Sequence, residues 1–342
     1  MPKYKNKNLS TDQIAFGGPV CTIPDFFIIG APKCGTTTLY EWLSSHPECF
    51  MPTKEPGFFS QDIRSTRGSP THIPDLTSYC GIFVDCPANT KAIGEATPRY
   101  LYSDMALDAI KRLRPDARVI VCLRDPVDLA ISFHNQKIIE GQESEIDFVS
   151  AWKRSCDRTH GDISTLAPSI DGNLNYGFWA SYGRRLELLF ERFPLSQIKI
   201  ITLESLKNRP NEIWTELQDF LSLSQHALDK KEAYNLKKKV RWKHLHIFTR
   251  SLRKAILPLL HPIIKMRGGR GFGVLRMIDN LNLEPGNYTS EVPWEFRKGM
   301  YKALADDIHR AETLLEPVRL VTDPEIRASV LDRSSVMSNE VN

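Results

Sequence analysis

Residues Phe26–Leu39 read FFIIGAPKCGTTTL. The apolar start of this stretch predicts a buried strand, the Gly/Pro turn that follows predicts a loop, and the hydroxyl-rich end predicts the first turn of a helix. Such a junction directs unpaired backbone N–H groups and the positive end of a helix dipole at one point. The stretch therefore predicts a phosphate-binding loop.

Several side chains in this loop suit a phosphate. Lys33 supplies a positive charge, and Gly35 lets a ligand approach the backbone closely. The hydroxyl donors are Thr36, Thr37 and Thr38. The spacing differs from that of a Walker A loop, because Gly35 is followed by threonine rather than lysine. Cys34 could be a reactive thiol at a helix N-terminus, but a small residue packed in the turn is the commoner explanation.

A second phosphate signal follows Arg118–Leu123, which predicts a second buried strand. Arg124 leaves this predicted strand at its carboxyl end, and Ser132 lies two turns into the next predicted helix. An arginine fork and a hydroxyl suit a terminal phosphate. Taken alone, Arg124 is better explained by an ion pair with Asp125 or Asp128. The presence of the first loop reverses that preference.

Strands and helices alternate along the chain, which predicts an α/β fold: a P-loop-like, three-layer arrangement with a central parallel sheet and helices on both faces. The predicted strands are Phe26–Ile29, Arg118–Leu123 and Ile198–Thr202, and the predicted helices are Thr37–Ser45, Ser103–Arg114, Val127–Ile139, Trp179–Phe193 and Glu212–Leu221. The 342 residues fit one domain over 21–330, with flexible ends at 1–20 and 331–342. Ligands of such sheets bind at the carboxyl ends of the strands, where both loops lie.

The net charge of +4 conceals a strong asymmetry. The basic segment, residues 237–278, holds twelve Lys or Arg and no Asp or Glu, so the other residues, with 33 basic and 41 acidic side chains, carry −8. Such a segment either forms a solvated face or binds an anionic acceptor, a nucleic acid or a lipid headgroup surface. Its scattered aromatic residues argue against nucleic acid. Ala255–Ile264 resembles a membrane-surface element, although Pro258 and Pro262 interrupt any helix there.

The cysteines and the apolar stretches predict the compartment. The seven cysteines form neither a CxxC pair nor a zinc-like cluster, which predicts reduced thiols and no metal site. Cys80 and Cys86 could close a small disulfide loop in an oxidising setting. No signal peptide or apolar stretch of membrane-spanning length is evident. We therefore expect a soluble, cytoplasmic protein.

Together, the two phosphate motifs resemble those of sulfotransferases that use 3′-phosphoadenosine 5′-phosphosulfate (PAPS). PKCGTTTL is similar to their 5′-phosphosulfate loop, and VIVCLRDPVDLAIS is similar to their 3′-phosphate element. The resemblance is closest to the carbohydrate branch related to heparan sulfate sulfotransferases, and it covers Phe26 to about Phe220. It implies sulfuryl transfer from PAPS, without a metal, to a hydroxyl or amine of a glycan. The basic segment suggests that this glycan is anionic.

Two further segments and one tyrosine support the resemblance. KEPGFF at Lys54–Phe59 is similar to the segment with the family's catalytic glutamate, GEATP at Gly94–Pro98 resembles its acceptor-facing turn, and Tyr182 matches a tyrosine near the cofactor. Ala96 stands where heparan-type members tend to have lysine. The resemblance implies that Glu55 is the general base and that Lys33 is catalytic. The implied donor-binding residues are Lys33, Cys34, Gly35, Thr36, Thr37, Thr38, Arg124, Ser132 and Tyr182.

Alternative functions and alternative bases remain open at this point. A P-loop kinase needs lysine directly before Thr/Ser and an acidic metal ligand at a strand end, where this chain has Arg124. A non-catalytic nucleotide-binding or polyanion-binding module would lack the base, and Glu55 argues against it. The histidines that could replace Glu55 as the base are His46, His72 and His134.

Overall fold

A computed structural model describes residues 22–63, 73–140, 142–158, 174–228, 238–240, 283–285 and 292–331. The two predicted flexible ends lie outside these ranges, except for Leu331. His72 and the basic segment, except for residues 238–240, lie outside them as well.

Five parallel strands form the central sheet. They are β1 Phe26–Gly30, β2 Cys49–Phe50, β3 Ala92–Ala96, β4 Arg118–Leu123 and β5 Ile198–Thr202, in the order β2-β3-β1-β4-β5. Central β1 is fully buried. β3 fits closely against it because a Cβ atom at Gly94 would lie 2.1 Å from the Phe26 ring. β6 Lys238–Val240 and β7 Leu283–Pro285 form a separate antiparallel pair.

Helices surround the sheet and confirm the predicted α/β fold. They are α1 Thr36–Ser44, α2 Leu76–Cys80, α3 Asp104–Leu113, α4 Pro126–Ile139, α5 Phe148–Arg158, α6 Tyr176–Ala180, α7 Gly183–Arg192, α8 Leu203–Asn208, α9 Pro210–Leu221, α10 Trp294–Leu314 and α11 Pro324–Ile326. Short 3₁₀ helices lie at Gln61–Ile63, Gly81–Phe83, Pro98–Tyr102 and Leu195–Gln197, and a π-helical turn at Arg327–Leu331. The predicted cap of α3 is present, since Ser103 Oγ accepts the N–H of Ala106 at 3.0 Å.

One predicted helix, Trp179–Phe193, is wrong as a continuous element. The chain leaves the helical conformation at Ser181, which has extended backbone angles between α6 and α7. Asp307 of α10 then accepts the backbone N–H of Gly183 at 2.9 Å and that of Arg184 at 3.4 Å. A carboxylate from a distant helix therefore caps a new helix where a single one was predicted.

One cysteine of the described ranges contradicts the prediction of reduced thiols. Cys80 is disulfide-bonded, and the other cysteines of the described ranges are free thiols. Cys86 is among these free cysteines, and its Sγ faces the carbonyl oxygen of Pro87 at 3.8 Å. The small Cys80–Cys86 loop is therefore not formed, because sequence spacing alone does not determine disulfide pairing.

Candidate functional site

The predicted phosphate loop, residues 31–35, joins β1 to α1. Two of its residues have left-handed backbone angles, with φ +64° at Lys33 and +95° at Gly35. The N–H of Ala31 donates to the carbonyl oxygen of Cys122 in β4 at 2.6 Å, which fixes the start of the loop on the neighbouring strand. Gly35 begins α1 without a side-chain cap, and the first turn of α1 holds no acidic residue. This helix start therefore suits an anion.

Lys33 lies among other charges. Its Nζ donates to Gln136 Oε1 of α4 at 3.2 Å. Burial lowers the pKa of Lys33, and Arg124 and Lys54 lower it further, whereas Glu140 raises it. An anionic ligand beside Lys33 would oppose the lowering and favour the charged ammonium group.

The three threonines of the motif differ in exposure. Thr36 is buried, and Thr37 and Thr38 are partly exposed. Thr37 Oγ1 accepts a hydrogen bond from Lys54 Nζ at 2.5 Å. Lys54 is thus a second cation at the loop. The sequence analysis did not assign it a role, although it directly precedes Glu55.

Cys34 and Tyr182 lie beneath the loop. Both side chains are fully buried, and Cys34 Sγ lies 3.6 Å from the Tyr182 hydroxyl. Burial raises the pKa of Cys34 to about 12, which disfavours a reactive thiolate. In this structure the two side chains support the loop from its inner side, which is the packed alternative considered for Cys34.

Arg124 brings the second predicted motif to the first. Its Nη1 donates to the carbonyl oxygen of Lys33 at 3.3 Å, so the strand ends of β1 and β4 share one site. Its Nη2 pairs with Asp128 at 3.1 Å, and its Nε is buried without a partner in the described part of the chain. Arg124 therefore forms the ion pair considered in the sequence analysis and also contacts the phosphate loop. Ser132, two turns into α4, is partly exposed.

Helix α10 adds a residue that the sequence analysis missed. Arg297 Nη2 donates to Asp128 Oδ1 at 2.9 Å, so two arginines flank one carboxylate. The neighbouring Asp125 caps α4 by accepting the N–H of Asp128 at 2.9 Å, and it also accepts the Tyr301 hydroxyl at 2.7 Å. Burial opposes ionisation of Asp128, but the hydrogen bond and charge of Arg297 and the charge of Arg124 give it a lowered pKa. No local sequence signal connects α10 with this junction.

Glu55 lies on a loop that contacts α1, here called the glutamate loop, residues 54–60. Glu55 has a left-handed φ of +56°, and its N–H donates to the carbonyl oxygen of Ala96 at 2.8 Å. Its carboxylate lies 3.5 Å from Lys54 Nζ, and its side chain is 44% exposed, so a second substrate can reach it. Lys54 contacts both Glu55 and Thr37, and it thereby connects the glutamate loop to the phosphate loop.

Two of the alternative bases, His46 and His134, are buried, whereas Glu55 is exposed. His46 is buried, and its Nε2 lies 3.0 Å from the carbonyl oxygen of Ser224. His134 is also buried, with Nε2 2.8 Å from the carbonyl oxygen of Glu145, and burial lowers its pKa. Both rings pack in the protein interior, which disfavours them as bases for an incoming acceptor.

Two kinds of feature are absent from the described residues. None of their helices combines the length and apolar character needed to cross a membrane. Within the same residue ranges, no group of three or more His, Cys, Asp or Glu side chains is arranged to hold a metal ion.

Comparisons with known sequences give a family and several relatives. The sulfotransferase domain family matches residues 23–252. The mouse heparan sulfate glucosamine 3-O-sulfotransferase 3B1 is 31% identical over 215 residues, which cover 62% of this chain and 50% of that protein. The mouse bifunctional heparan sulfate N-deacetylase/N-sulfotransferase 4 is 25% identical over 221 residues, covering 60% of this chain and 23% of that protein. The chain thus spans half or less of the length of these two relatives.

A comparison with solved structures agrees on the fold. The crystal structure of a sulfotransferase from Alicyclobacillus acidocaldarius matches with a TM-score of 0.54 and 23% identity, over 75% of this chain and 99% of that chain. The match to the sulfotransferase domain family covers well over half of the chain and includes both strand-to-helix junctions of the site. This chain belongs to the sulfotransferase domain family.

Proposed function

We propose that this protein transfers a sulfuryl group from PAPS to a hydroxyl or amine of a carbohydrate acceptor. The observation that carries the proposal is the 3.3 Å hydrogen bond from Arg124 Nη1 to the carbonyl oxygen of Lys33. This bond joins the phosphate loop at the end of β1 to Arg124 at the end of β4, which supports a ligand whose two phosphates contact both motifs.

The polar atoms of the site fit such a donor. Arg124 Nε is buried and lacks a partner in the described part of the chain, and a buried N–H of this kind favours an added acceptor oxygen. Lys33 and the uncapped start of α1 would hold the 5′ end, and Arg124 with Ser132 would hold the 3′-phosphate. When bound, the donor supplies an activated sulfuryl group.

The chain's own residues would position and neutralise the reactants. As the bond between the sulfur and the 5′-phosphate oxygen breaks and 3′,5′-adenosine bisphosphate leaves, Lys33 and Thr37 would present positive charge and a hydroxyl to the leaving phosphate oxygen. Such an effect is worth about 3 kcal/mol per donor in comparable sites. Glu55 would take the proton of the acceptor hydroxyl, because its carboxylate is accessible and lies next to the phosphate loop through Lys54. General base catalysis of this kind contributes about 10²- to 10⁴-fold in rate.

A carbohydrate acceptor is supported by the relatives and by the charge. The mouse 3-O-sulfotransferase relative acts, by its name, on heparan sulfate glucosamine. The basic segment, with twelve Lys or Arg and no Asp or Glu, would attract an anionic glycan. The kinase alternative is not favoured, because the family match includes the phosphate loop and Arg124.

The proposed function is tested with radiolabelled PAPS and a panel of glycans, using the Glu55→Gln variant. We expect kcat to fall by about 10²- to 10⁴-fold, because the amide cannot take a proton. The affinity for 3′,5′-adenosine bisphosphate, measured by calorimetry, should be unchanged. Glu204→Gln, at an exposed position on α8, is the matched control. Full activity in Glu55→Gln would rule out the base, and absence of transfer to every glycan would rule out the acceptor class.

A further inference from the structure

Glu95 is a buried carboxylate in β3, next to central β1. Its side chain is 1% exposed. The Tyr79 hydroxyl donates to its Oε2, and Thr97 Oγ1 donates to its Oε1 at 2.7 Å. The Tyr100 hydroxyl interacts with the same carboxylate. Burial raises the pKa of Glu95 to about 6, against the lowering effect of these hydroxyl groups.

Two of these hydroxyl groups also bind the glutamate loop. Thr97 Oγ1 accepts the N–H of Gly57 at 3.2 Å, and the Tyr100 hydroxyl oxygen accepts the N–H of Phe59 at 3.3 Å. A hydroxyl group has one hydrogen to donate, and an ionised carboxylate can only accept. Because the Thr97 hydroxyl donates its hydrogen to Glu95, a lone pair of its oxygen is free to accept from the loop. The Tyr100 hydroxyl interacts with the same carboxylate and likewise accepts from the loop. An ionised Glu95 thus favours both hydroxyl oxygens as acceptors for the N–H groups of the loop.

The glutamate loop needs such anchors because its backbone is strained. Glu55 has φ +56°, a conformation that favours glycine and costs a side-chain-bearing residue free energy unless its surroundings impose it. The loop's N–H groups at Glu55, Gly57 and Phe59 are all bound, the first by the carbonyl oxygen of Ala96 and the other two by the hydroxyl groups that Glu95 orients. Every second residue of the loop is therefore fixed to the end of β3 or to the turn after it.

We propose that Glu95 is a positioning residue for Glu55: its carboxylate orients the Thr97 and Tyr100 hydroxyl groups, which hold the glutamate loop in its strained conformation beside the phosphate loop. The inference rests on the proposed role of Glu55 as base. Glu95 itself does not contact either substrate, since it is buried beneath the loop. Its effect on the reaction passes through the backbone of residues 55–59.

The test combines a conformational readout with kinetics. The variants are Glu95→Gln, Thr97→Val and Tyr100→Phe, with Thr97→Ser as the conservative rescue. The Gln amide presents an N–H₂ donor to the hydroxyl groups, and the other two substitutions remove an acceptor of the loop. Tyr102→Phe is the matched control, because it removes a buried hydroxyl that donates to the carbonyl oxygen of Trp179 instead. Hydrogen–deuterium exchange of peptides that span residues 54–60 reports on the anchoring directly.

In the three test variants we expect faster exchange in residues 54–60 and a fall in kcat of about ten- to a hundredfold, as for a catalytic group misplaced by about 1 Å. The affinity for 3′,5′-adenosine bisphosphate should not change, and Thr97→Ser should restore kcat to within about twofold of the wild type. Tyr102→Phe should leave exchange and kcat unchanged even where it lowers the melting temperature.

Three results would overturn the proposal. They are unchanged exchange in Glu95→Gln, faster exchange with unchanged kcat, and an equal loss of kcat in Tyr102→Phe. Full activity in Glu55→Gln together with faster exchange in the network variants would instead remove the base from the proposed function. The anchoring of the loop by Glu95 would remain, so the two failures are distinguishable.

Discussion

Arg124 shows how one side chain can belong both to the framework of the protein and to a ligand site. Its two terminal nitrogens bind the carbonyl oxygen of Lys33 and the carboxylate of Asp128. Its third nitrogen, Nε, is buried and has no partner in the described ranges. A guanidinium group can make these two contacts and still offer a third N–H to a ligand, because its donors form a rigid planar fork, whereas an ammonium group is a point charge.

The Arg124→Lys substitution should therefore weaken the binding of 3′,5′-adenosine bisphosphate while the protein stays folded. We expect the Kd to rise by about ten- to a hundredfold, since a hydrogen bond to a charged group is worth about 1.5–3 kcal/mol. Isothermal titration calorimetry measures this change. Arg118→Lys is the control, because Arg118 lies at the opposite end of β4 and binds Ser222 Oγ. Equal weakening in both variants would contradict a specific role for Arg124.

Glu95 makes the stability of the protein depend on pH. Its pKa is raised by burial from 4.5 to about 6, so the folded state binds more protons than the unfolded state between these values. The contribution is fully present below about pH 4.5 and is lost as the pH rises through about 6, a change of about 2 kcal/mol. Glu95→Gln should remove this contribution. Urea unfolding of both proteins between pH 4.5 and 7 gives the difference, and parallel curves would contradict the raised pKa.

At the scale of elements, the start of α7 depends on a residue in α10. Asp307 accepts the N–H groups of Gly183 and Arg184, and the preceding residue, Tyr182, lies beneath the phosphate loop against Cys34. Asp307→Ala should lower the free energy of unfolding by about 1–2 kcal/mol, the usual cost of losing a helix cap. Chemical denaturation measures the loss. Asp306→Ala, at the exposed neighbouring position, should change stability by less than about 0.5 kcal/mol. Equal losses would contradict the capping role.

Elements with local signals could be predicted from the sequence, and elements without them could not. The strand Arg118–Leu123 contains the continuous apolar run Val119–Leu123, and the start of α3 is fixed by its own cap, Ser103. β3 has no such signal, because Gly94 and Glu95 are poor strand formers and only burial against β1 fixes them there. The break at Ser181 was missed because the carboxylate that caps the next helix lies more than 120 residues further along the chain.

At the scale of the whole molecule, the site combines distant parts of the chain. The phosphate loop, the glutamate loop and the junction at Arg124 could be predicted because each is a short motif at the end of a strand or in a loop. Arg297 could not, since it reaches Asp128 across 169 residues and its surrounding helix carries no related motif. Lys54 could have been found, because it adjoins Glu55. The motifs predicted from the sequence therefore need α10 to complete the surroundings of Arg124.

The charge distribution of the whole chain leads to a final prediction about the acceptor. The basic segment carries +12 and the rest of the chain −8, so an anionic glycan should be drawn to the basic segment. Replacing Lys237, Lys238 and Lys239 with Gln should raise the KM for a sulfated glycan by about tenfold at low salt and weaken its salt dependence. The affinity for 3′,5′-adenosine bisphosphate should stay the same.

The control for this experiment removes the same charge elsewhere. Lys153, Lys207 and Lys302 are exposed and lie outside the basic segment, so their combined replacement with Gln lowers the net charge equally. If long-range attraction by net charge were sufficient, both triple variants would show the same rise in KM. A rise confined to the first variant indicates contact between the basic segment and the glycan, because the attraction between exposed charges falls off within about 10 Å at moderate ionic strength. An unchanged KM in the first variant would contradict a role for residues 237–239 in acceptor binding.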